Sequence, residues 1–202
     1  MSEKRFDATL AYRLDLPERI TWLSPQEVIH ALAVQAGATV VDLGAGTGYF
    51  ALPLARAVGA AGRVIAVDAQ DEMLELLRRK ISSSAVSNIE LVRAEADRIA
   101  LPDSACDLIF LANVWHEIPD RVAALVEAKR VLKAQGRIAI LDWRPDVEPE
   151  HGPPLEYRLT PASAVAELVA AGFQPGLQRS IGKYSWLVQA AAASQTCNVR
   201  AQ

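Results

Sequence analysis

Residues 40–50 read Val-Val-Asp-Leu-Gly-Ala-Gly-Thr-Gly-Tyr-Phe, a short apolar run followed by three glycines at alternate positions. This pattern predicts a strand, a glycine-rich turn and the start of a helix. Glycine has no Cβ, so the turn can adopt positive φ angles and a ligand can approach its backbone amides closely. The first amides of the next helix lack internal partners and carry a partial positive charge, which favours a carboxylate or phosphate. The stretch therefore predicts a ligand-binding loop.

Strands and helices alternate along the chain on both sides of this loop. Apolar runs of strand length are separated by segments with helical spacing, which indicates a parallel sheet with helices on both faces. The predicted parallel strands are residues 39–43, 63–67, 89–92, 106–112 and 137–141. Residues 173–181 and 183–191 are predicted to form two antiparallel strands joined at Gly182.

One predicted helix begins at Asp120, which acts as its cap, and is closed by Gly136. Its predicted apolar face is formed by Val122, Leu125, Val126 and Leu132.

The composition limits the class of protein. The chain has 202 residues, of which 51% are apolar, and this is enough for one domain with a substantial core. A net charge of −3 without long runs of like charge gives no electrostatic basis for nucleic-acid binding. There is no signal-peptide core and no apolar run of membrane-spanning length, so we expect a cytoplasmic protein without membrane contact. Cys106 and Cys197 lack disulfide or metal-ligand spacing, which predicts free thiols and no metal site.

Two motifs together resemble a known family. The sequence DLGAGTG at residues 42–48, followed by VIAVD at residues 64–68, is similar to the class I S-adenosylmethionine-dependent methyltransferases, in particular small members related to quinone-biosynthesis enzymes. The resemblance covers most of the chain. It implies an α/β fold, a doubly wound Rossmann-like sheet of seven strands in the order 3-2-1-4-5-7-6 with strand 7 antiparallel. It also implies S-adenosyl-L-methionine as the cofactor and in-line methyl transfer to a small-molecule acceptor.

The carboxyl edge of the sheet is where open α/β folds bind ligands, and Asp68 ends a predicted strand there. Its carboxylate can accept both ribose hydroxyl protons; the alternative is that it caps the following helix. The family resemblance adds Glu95 with the next backbone amide at the adenine, with Asp97 as a competing choice, and the backbone around Asn113 at the methionine moiety. The predicted cofactor-binding residues are Asp42, Gly44, Gly46, Gly48, Asp68, Ala69, Glu95, Ala96 and Asn113.

Two other functions compete with this interpretation. Gly46, Gly48 and Ala51 fit the dinucleotide fingerprint, and Asp68 follows at a suitable distance, so an NAD(P)-dependent oxidoreductase is one alternative. Asp42 before the first glycine, the three alternating glycines and the absence of an identifiable hydride-transfer site favour the methyl donor. A noncatalytic S-adenosylmethionine-binding regulator is the second alternative, which nothing in the sequence excludes.

His116 is the predicted catalytic residue, since an imidazole titrates near neutral pH and follows the fourth strand at the ligand edge. A base is required mainly if the acceptor is a hydroxyl or an acidic carbon; a hydrogen-bonding role in the pocket is the alternative. Asp142, His116 and Glu117 could together hold a divalent cation, but a surface ion pair of Asp142 with Arg144 is the favoured prediction. Trp115, Trp143 and residues 152–158 are predicted to wall an apolar acceptor site.

The whole chain, residues 1–202, is predicted to be one methyltransferase domain. Residues 1–23 mix charges with aromatics and are predicted to form an N-terminal arm or lid, while residues 192–202 are predicted to be a flexible tail. A homodimer is compatible with the sequence, which does not determine the oligomeric state.

Overall fold

The computed structural model describes residues 6–192, which are built around a seven-stranded sheet of order β3-β2-β1-β4-β5-β7-β6. The strands are β1 Thr39–Leu43, β2 Arg63–Asp68, β3 Ile89–Arg93, β4 Cys106–Ala112, β5 Leu132–Trp143, β6 Phe173–Ile181 and β7 Ser185–Ala192. Strands β1 to β5 are parallel, and β7 is antiparallel to both of its neighbours. The predicted topology is therefore confirmed.

Three of the α-helices within residues 6–192 begin at a residue whose side chain accepts an amide of the first turn. The α-helices are α1 Arg19–Trp22, α2 Pro25–Leu32, α3 Ala51–Val58, α4 Asp71–Ser82, α5 Arg121–Val131 and α6 Pro161–Ala170. Short 3-10 helices span Ala8–Asp15, Trp115–Glu117 and Leu155–Tyr157. The Ser24 hydroxyl accepts the amide of Glu27 at the start of α2, and the Asp120 carboxylate accepts the amide of Ala123 at the start of α5. These side chains satisfy amides that have no partner within the helix.

Each face of the sheet carries its own apolar core, because successive residues of a strand point to opposite sides. On β1, Val40 packs with the residues of α2, α3 and α4, whereas Val41 and Leu43 pack with those of α5 and α6. The central strands are buried on both faces, as expected of a parallel sheet covered by helices. This packing fixes the carboxyl ends of β1, β2 and β4 next to one another.

The predicted limits and buried face of the helix after Asp120 are wrong. Helix α5 ends at Val131, because Leu132 is already extended and pairs with Cys106 in the sheet. Val122 and Val126 are 73% and 64% exposed. The buried stripe instead consists of Ala124, Leu125, Ala128 and Val131.

Part of the predicted terminal features falls outside the structure. Residues 1–5 of the predicted arm and residues 193–202, with the predicted flexible tail and Cys197, lie outside the described residues. Cys106 is a buried free thiol, as predicted, and burial raises its pKa to about 12. No helix within residues 6–192 combines the length and apolar character needed to span a lipid bilayer.

Candidate active site

A cavity of about 440 Å³ opens at the carboxyl edge of the sheet. Its wall combines the glycine loop after β1, the ends of β2 and β3, the segment after β4 and part of the N-terminal arm. Of the predicted cofactor-binding residues, the cavity is lined by Asp42, Gly44, Gly46, Asp68, Ala69, Glu95 and Ala96. Gly48 and Asn113 do not line it. Gln70, Met73 and Asp97 do, so the choice between Glu95 and Asp97 at the adenine stays open.

The glycines of the loop have different reasons for lacking a side chain. Gly44 has a φ of +77°, and a Cβ on it would lie 2.4 Å from a methyl group of Val114. Gly48 has a φ of +87°, and a Cβ there would lie 2.3 Å from a methyl group of Leu77 on α4. Gly44 therefore keeps the loop against the segment after β4, whereas Gly48 allows helix α4 to pack beneath the loop.

Asp68 links the end of β2 to the glycine loop. One carboxylate oxygen accepts the amide of Gly46 at 2.8 Å, and the other accepts the amide of Gln70 at 2.9 Å. The side chain is largely buried and lines the cavity. The Asp68 carboxylate therefore holds the loop amides in place while it faces the space where a ligand would lie.

Two buried polar side chains near the end of β1 and β4 have atoms without hydrogen-bond partners within residues 6–192. One carboxylate oxygen of Asp42 is such an atom, and so are both side-chain polar atoms of Asn113. Burial raises the pKa of the Asp42 carboxyl to about 7, and the negative charge of Asp68 adds to this effect. Leaving buried polar atoms unpaired costs free energy, so such atoms indicate a place where a ligand completes the hydrogen bonding.

His116 lies behind the cavity wall and not on it. Its Nδ1 is 2.8 Å from a carboxylate oxygen of Asp142. The Asp142 side chain is only 1% exposed, and its carboxylate also accepts the backbone amides of His116 and Trp143. The other ring nitrogen, Nε2, is 3.7 Å from Glu117, and Glu117 lines the cavity. The three side chains thus form a row from the buried Asp142 through His116 to Glu117 at the cavity.

Burial and the neighbouring charges determine how these groups titrate. Burial raises the pKa of Glu117 to about 7, although the nearby His116 and the amide of Phe6 act in the opposite direction. Burial would lower the pKa of His116, but the hydrogen bond and negative charge of Asp142 outweigh it, so the pKa is raised overall. Glu117 therefore exchanges protons near neutral pH, and the pKa of the neighbouring His116 lies above its ordinary value, so the pair suits acid–base chemistry.

Comparisons with known proteins identify the family. The family described as "Methyltransferase domain" matches residues 41–140. A crystal structure of a SAM-dependent methyltransferase from Aquifex aeolicus is 33% identical, covers 94% of this chain and all of its own, and superposes with a TM-score of 0.89. The chain belongs to the class I S-adenosylmethionine-dependent methyltransferases. The cofactor of this family is S-adenosylmethionine. Of the two cofactors that the glycine spacing allows, the family assignment therefore selects S-adenosylmethionine over NAD(P).

Other relatives agree with this family assignment. The ubiquinone/menaquinone biosynthesis C-methyltransferase UbiE from Enterobacter sp. (strain 638) is 37% identical over 123 residues, or 60% of this chain. The chain spans about half, 49%, of the length of that curated relative. A crystal structure described as a type 11 methyltransferase from Sulfolobus solfataricus is 21% identical with a TM-score of 0.72, covering 87% of this chain and 95% of its own. That last likeness shows the shared fold.

The residues around the site fit the family's cofactor. The acidic wall suits a ligand that carries positive charges at sulfur and nitrogen, and the glycine loop leaves backbone amides accessible. Asp42 and Asn113 retain unpaired buried polar atoms near the loop. Within residues 6–192, no group of three or more His, Cys, Asp or Glu side chains is arranged to hold a metal ion.

Several predictions about the acceptor side of the site are wrong. Asp142 does not pair with Arg144 at the surface, because the buried carboxylate is taken by His116, and Arg144 pairs with Asp146 instead. Trp115, Trp143 and residues 152–158 do not line the cavity. The Trp115 ring is buried and donates to Glu167, and the Trp143 ring packs beside Trp22. Sequence position at a strand end does not reveal whether a side chain turns into the cavity or into the core.

Sequence reasoning also missed residues of the wall that come from distant parts of the chain. The sequence did not indicate that Glu117 is the acid–base residue that lines the cavity. Phe6, Leu14 and Arg19 line the cavity from the N-terminal arm, in which no motif marks them. The backbone amide of Phe6 donates to the Glu117 carboxylate, and its carbonyl accepts from the Gln70 side chain; no local pattern encodes these tertiary contacts.

Cofactor affinity is expected to increase as the pH rises through about 7. The pKa of Asp42 is raised to about 7, and a bound cation stabilises the ionised carboxylate, so binding releases a proton. One released proton gives roughly a tenfold gain in affinity per pH unit below the pKa. Titration calorimetry in two buffers of different ionisation enthalpy measures the release. Asp42→Asn should reduce the number of protons released on binding, and Glu117→Gln shows how much Glu117 contributes to that number. If the affinity of the unaltered protein does not depend on pH, Asp42 is not the group that releases the proton.

Proposed function

We propose that the protein is an enzyme that transfers the methyl group of S-adenosylmethionine to a small, partly apolar molecule. The observation that carries this proposal is one cavity whose wall includes the glycine loop, Asp68 and the segment 117–119 after β4. Its volume of about 440 Å³ lies in the range of small-molecule sites, roughly 300–1,000 Å³. A cofactor side and a second, partly apolar wall therefore share one cavity.

The bound cofactor supplies an electrophilic methyl group on a sulfonium. The residues of this chain bind it, orient it and exclude water. Asp68 is proposed to accept the ribose hydroxyls while it keeps the Gly46 amide in place. Glu95, with the backbone at Ala69 and Ala96, is proposed to contact the adenine, and Asn113 and Asp42 the methionine end. Alignment of the acceptor in line with the methyl group contributes much of the rate enhancement in such transfers.

The acceptor is proposed to lose a proton from a carbon or a hydroxyl when the new bond to the methyl group forms. Glu117 faces the cavity and His116 stands 3.7 Å behind it, so the proton passes to Glu117 and is shared with His116. Asp142 holds the imidazole by its Nδ1 hydrogen and so leaves Nε2 toward Glu117. The Enterobacter relative is named a C-methyltransferase, which supports an acidic carbon as the accepting atom.

Replacing Glu117 with glutamine is expected to lower kcat by about 100-fold, the usual contribution of a general base. In the unaltered enzyme the rate should rise with pH through about 7 and then level, because the base acts in its ionised form. The variant should lose that rise. The loss is measured from the pH dependence of kcat with a saturating acceptor. Because Glu117 and His116 titrate together, the profile reports both groups.

His116→Ala separates the two roles left open for His116. If kcat stays normal with the true acceptor, His116 is not part of the base. Glu72→Gln, on the exposed side of α4, is the matched control for Glu117→Gln and should leave kcat unchanged.

The acceptor can be found with the protein itself. Incubation with S-adenosylmethionine carrying an isotope-labelled methyl group and a metabolite extract, followed by mass spectrometry, should reveal a labelled small molecule. The same incubation with Asp68→Ala should show none. Cofactor binding without any labelled product would favour the noncatalytic regulator.

Two further properties are proposed from the sequence. We expect the protein to be cytoplasmic. Sedimentation analysis tests whether it forms a homodimer.

A further inference from the structure

Arg19 is a buried cation at the wall of the cofactor cavity. It is the first residue of α1 and is only 7% exposed. Burial lowers the pKa of its guanidinium to about 10, so it remains charged at neutral pH. A buried charge is costly unless it is paired.

The contacts of Arg19 hold it in place without neutralising it. Nη1 donates to the carbonyl of Leu14 at 2.8 Å, and the guanidinium lies 4.0 Å from the centre of the Tyr49 ring. Within residues 6–192, no carboxylate lies within ion-pair distance of it. Asp15, the nearby acid, is bound to the hydroxyl of Thr47 and to Lys80. Most of the five N–H donors of a guanidinium therefore remain for a ligand.

The position of Arg19 places it at one end of the cavity. The arm crosses the glycine loop, where Leu14 approaches Gly46, and reaches the end of β5, where Trp22 packs on Trp143. Arg19 lies between these contacts, beside Tyr49. Asp68 and Glu95, proposed for the adenosine, follow β2 and β3 on the other side of the loop. Arg19 is thus on the side of the loop opposite to the nucleoside.

The charges of the cavity wall complete the argument. Among the described residues, Arg19 is the one basic side chain that lines the cavity. The acidic residues of the wall are Asp42, Asp68, Glu95, Asp97, Glu117 and Asp120. The cofactor proposed above carries positive charges on its sulfonium and amine and one negative charge on its carboxylate. We propose that Arg19 binds the α-carboxylate of the methionine moiety and so selects a cofactor with an intact amino acid.

This inference rests on the proposed function, and a cofactor analogue tests it separately. Titration calorimetry compares S-adenosylmethionine with its decarboxylated form, which keeps the sulfonium and the amine. The acidic wall by itself favours the more positive, decarboxylated form. We expect the unaltered protein to bind S-adenosylmethionine roughly 30-fold more tightly, the effect of a charge-assisted hydrogen-bond pair.

Arg19→Gln should remove this preference. The affinity for S-adenosylmethionine should fall roughly 30-fold, and that for the decarboxylated form should change less than about threefold. Arg19→Lys should restore part of the preference, because it keeps the charge. Arg13→Gln, an exposed position on the same arm, is the matched control and should change neither affinity.

The outcomes separate the two proposals. If the unaltered protein binds neither ligand, the proposed function fails and this inference with it. If it binds both equally well, the cofactor assignment stands and the role of Arg19 is wrong. The role of Arg19 is also wrong if Arg19→Gln lowers the affinity for both ligands equally. It is likewise wrong if Arg19→Gln leaves the affinity for S-adenosylmethionine unchanged and raises KM for the acceptor.

Discussion

Replacing Asp68 with alanine is expected to weaken S-adenosylmethionine binding by about 100-fold or more, since hydrogen bonds to a charged group contribute roughly 1.5–3 kcal/mol each. The substitution removes the proposed acceptor of the ribose hydroxyls. It also frees the amides of Gly46 and Gln70, which Asp68 holds at 2.8 and 2.9 Å. Loss of that anchor lets the glycine loop move away from its binding position. Titration calorimetry with the cofactor measures the effect.

Asp71→Ala provides the matched control for this experiment. Asp71 lies three residues further on, its side chain is 73% exposed, and its partner is Arg93 at the surface. The control removes the same charge from the same region without touching the cavity. An affinity of Asp68→Ala close to that of Asp71→Ala would show that Asp68 neither binds the cofactor nor organises the loop for it.

Replacing Gly44 with alanine is expected to reduce both folding stability and cofactor affinity. The left-handed backbone at φ +77° costs a side chain about 1–2 kcal/mol, and the new methyl group would meet Val114 at 2.4 Å, where overpacking adds about 1–3 kcal/mol. We therefore expect the free energy of unfolding to fall by about 2–5 kcal/mol. Urea denaturation measures this change, and calorimetry measures the accompanying loss of binding.

Gly37→Ala separates the two contributions. Gly37 has a similar φ of +82°, but no atom lies within 4 Å of an added Cβ, so this variant carries the backbone strain alone. The double variant Gly44→Ala/Val114→Ala should recover stability relative to Gly44→Ala, because the contact is removed. If Gly44→Ala and Gly37→Ala destabilise equally, the close approach of Val114 contributes nothing.

The strands that position the site were predictable because they are apolar runs of limited length. Residues 39–43 and 106–112 form strands with the predicted limits, and Asp68 ends β2 at the sheet edge as expected. The buried face of helix α5 was harder to predict from the sequence. Its buried face consists mostly of alanines, and a pattern that weights large apolar residues selects the exposed Val122 and Val126 instead.

Within the site, the predicted residues near the glycine loop reached the cavity because they lie at the carboxyl ends of the strands or directly after them. Asp42, Gly44 and Asp68 are fixed by their distance from the end of a parallel strand. The predicted partner of Asp142 was wrong, because Asp142 and Arg144 are close in sequence and a local ion pair was the simplest expectation. In the structure Asp142 points inward, where its carboxylate accepts three N–H groups.

The sequence by itself determined the alternation of strands and helices, the glycine loop and the acidic residue at the end of β2, because these features depend on local composition and on spacing within a single strand–turn–helix unit. The strand order followed only from the resemblance of two motifs to a known family. Only the tertiary structure decided that Glu117 and not His116 faces the cavity, that Asp142 supports His116, and that Arg19 closes the wall from the arm. Such relations join residues more than twenty positions apart, and packing of the whole chain, not any local preference, sets the distances between them.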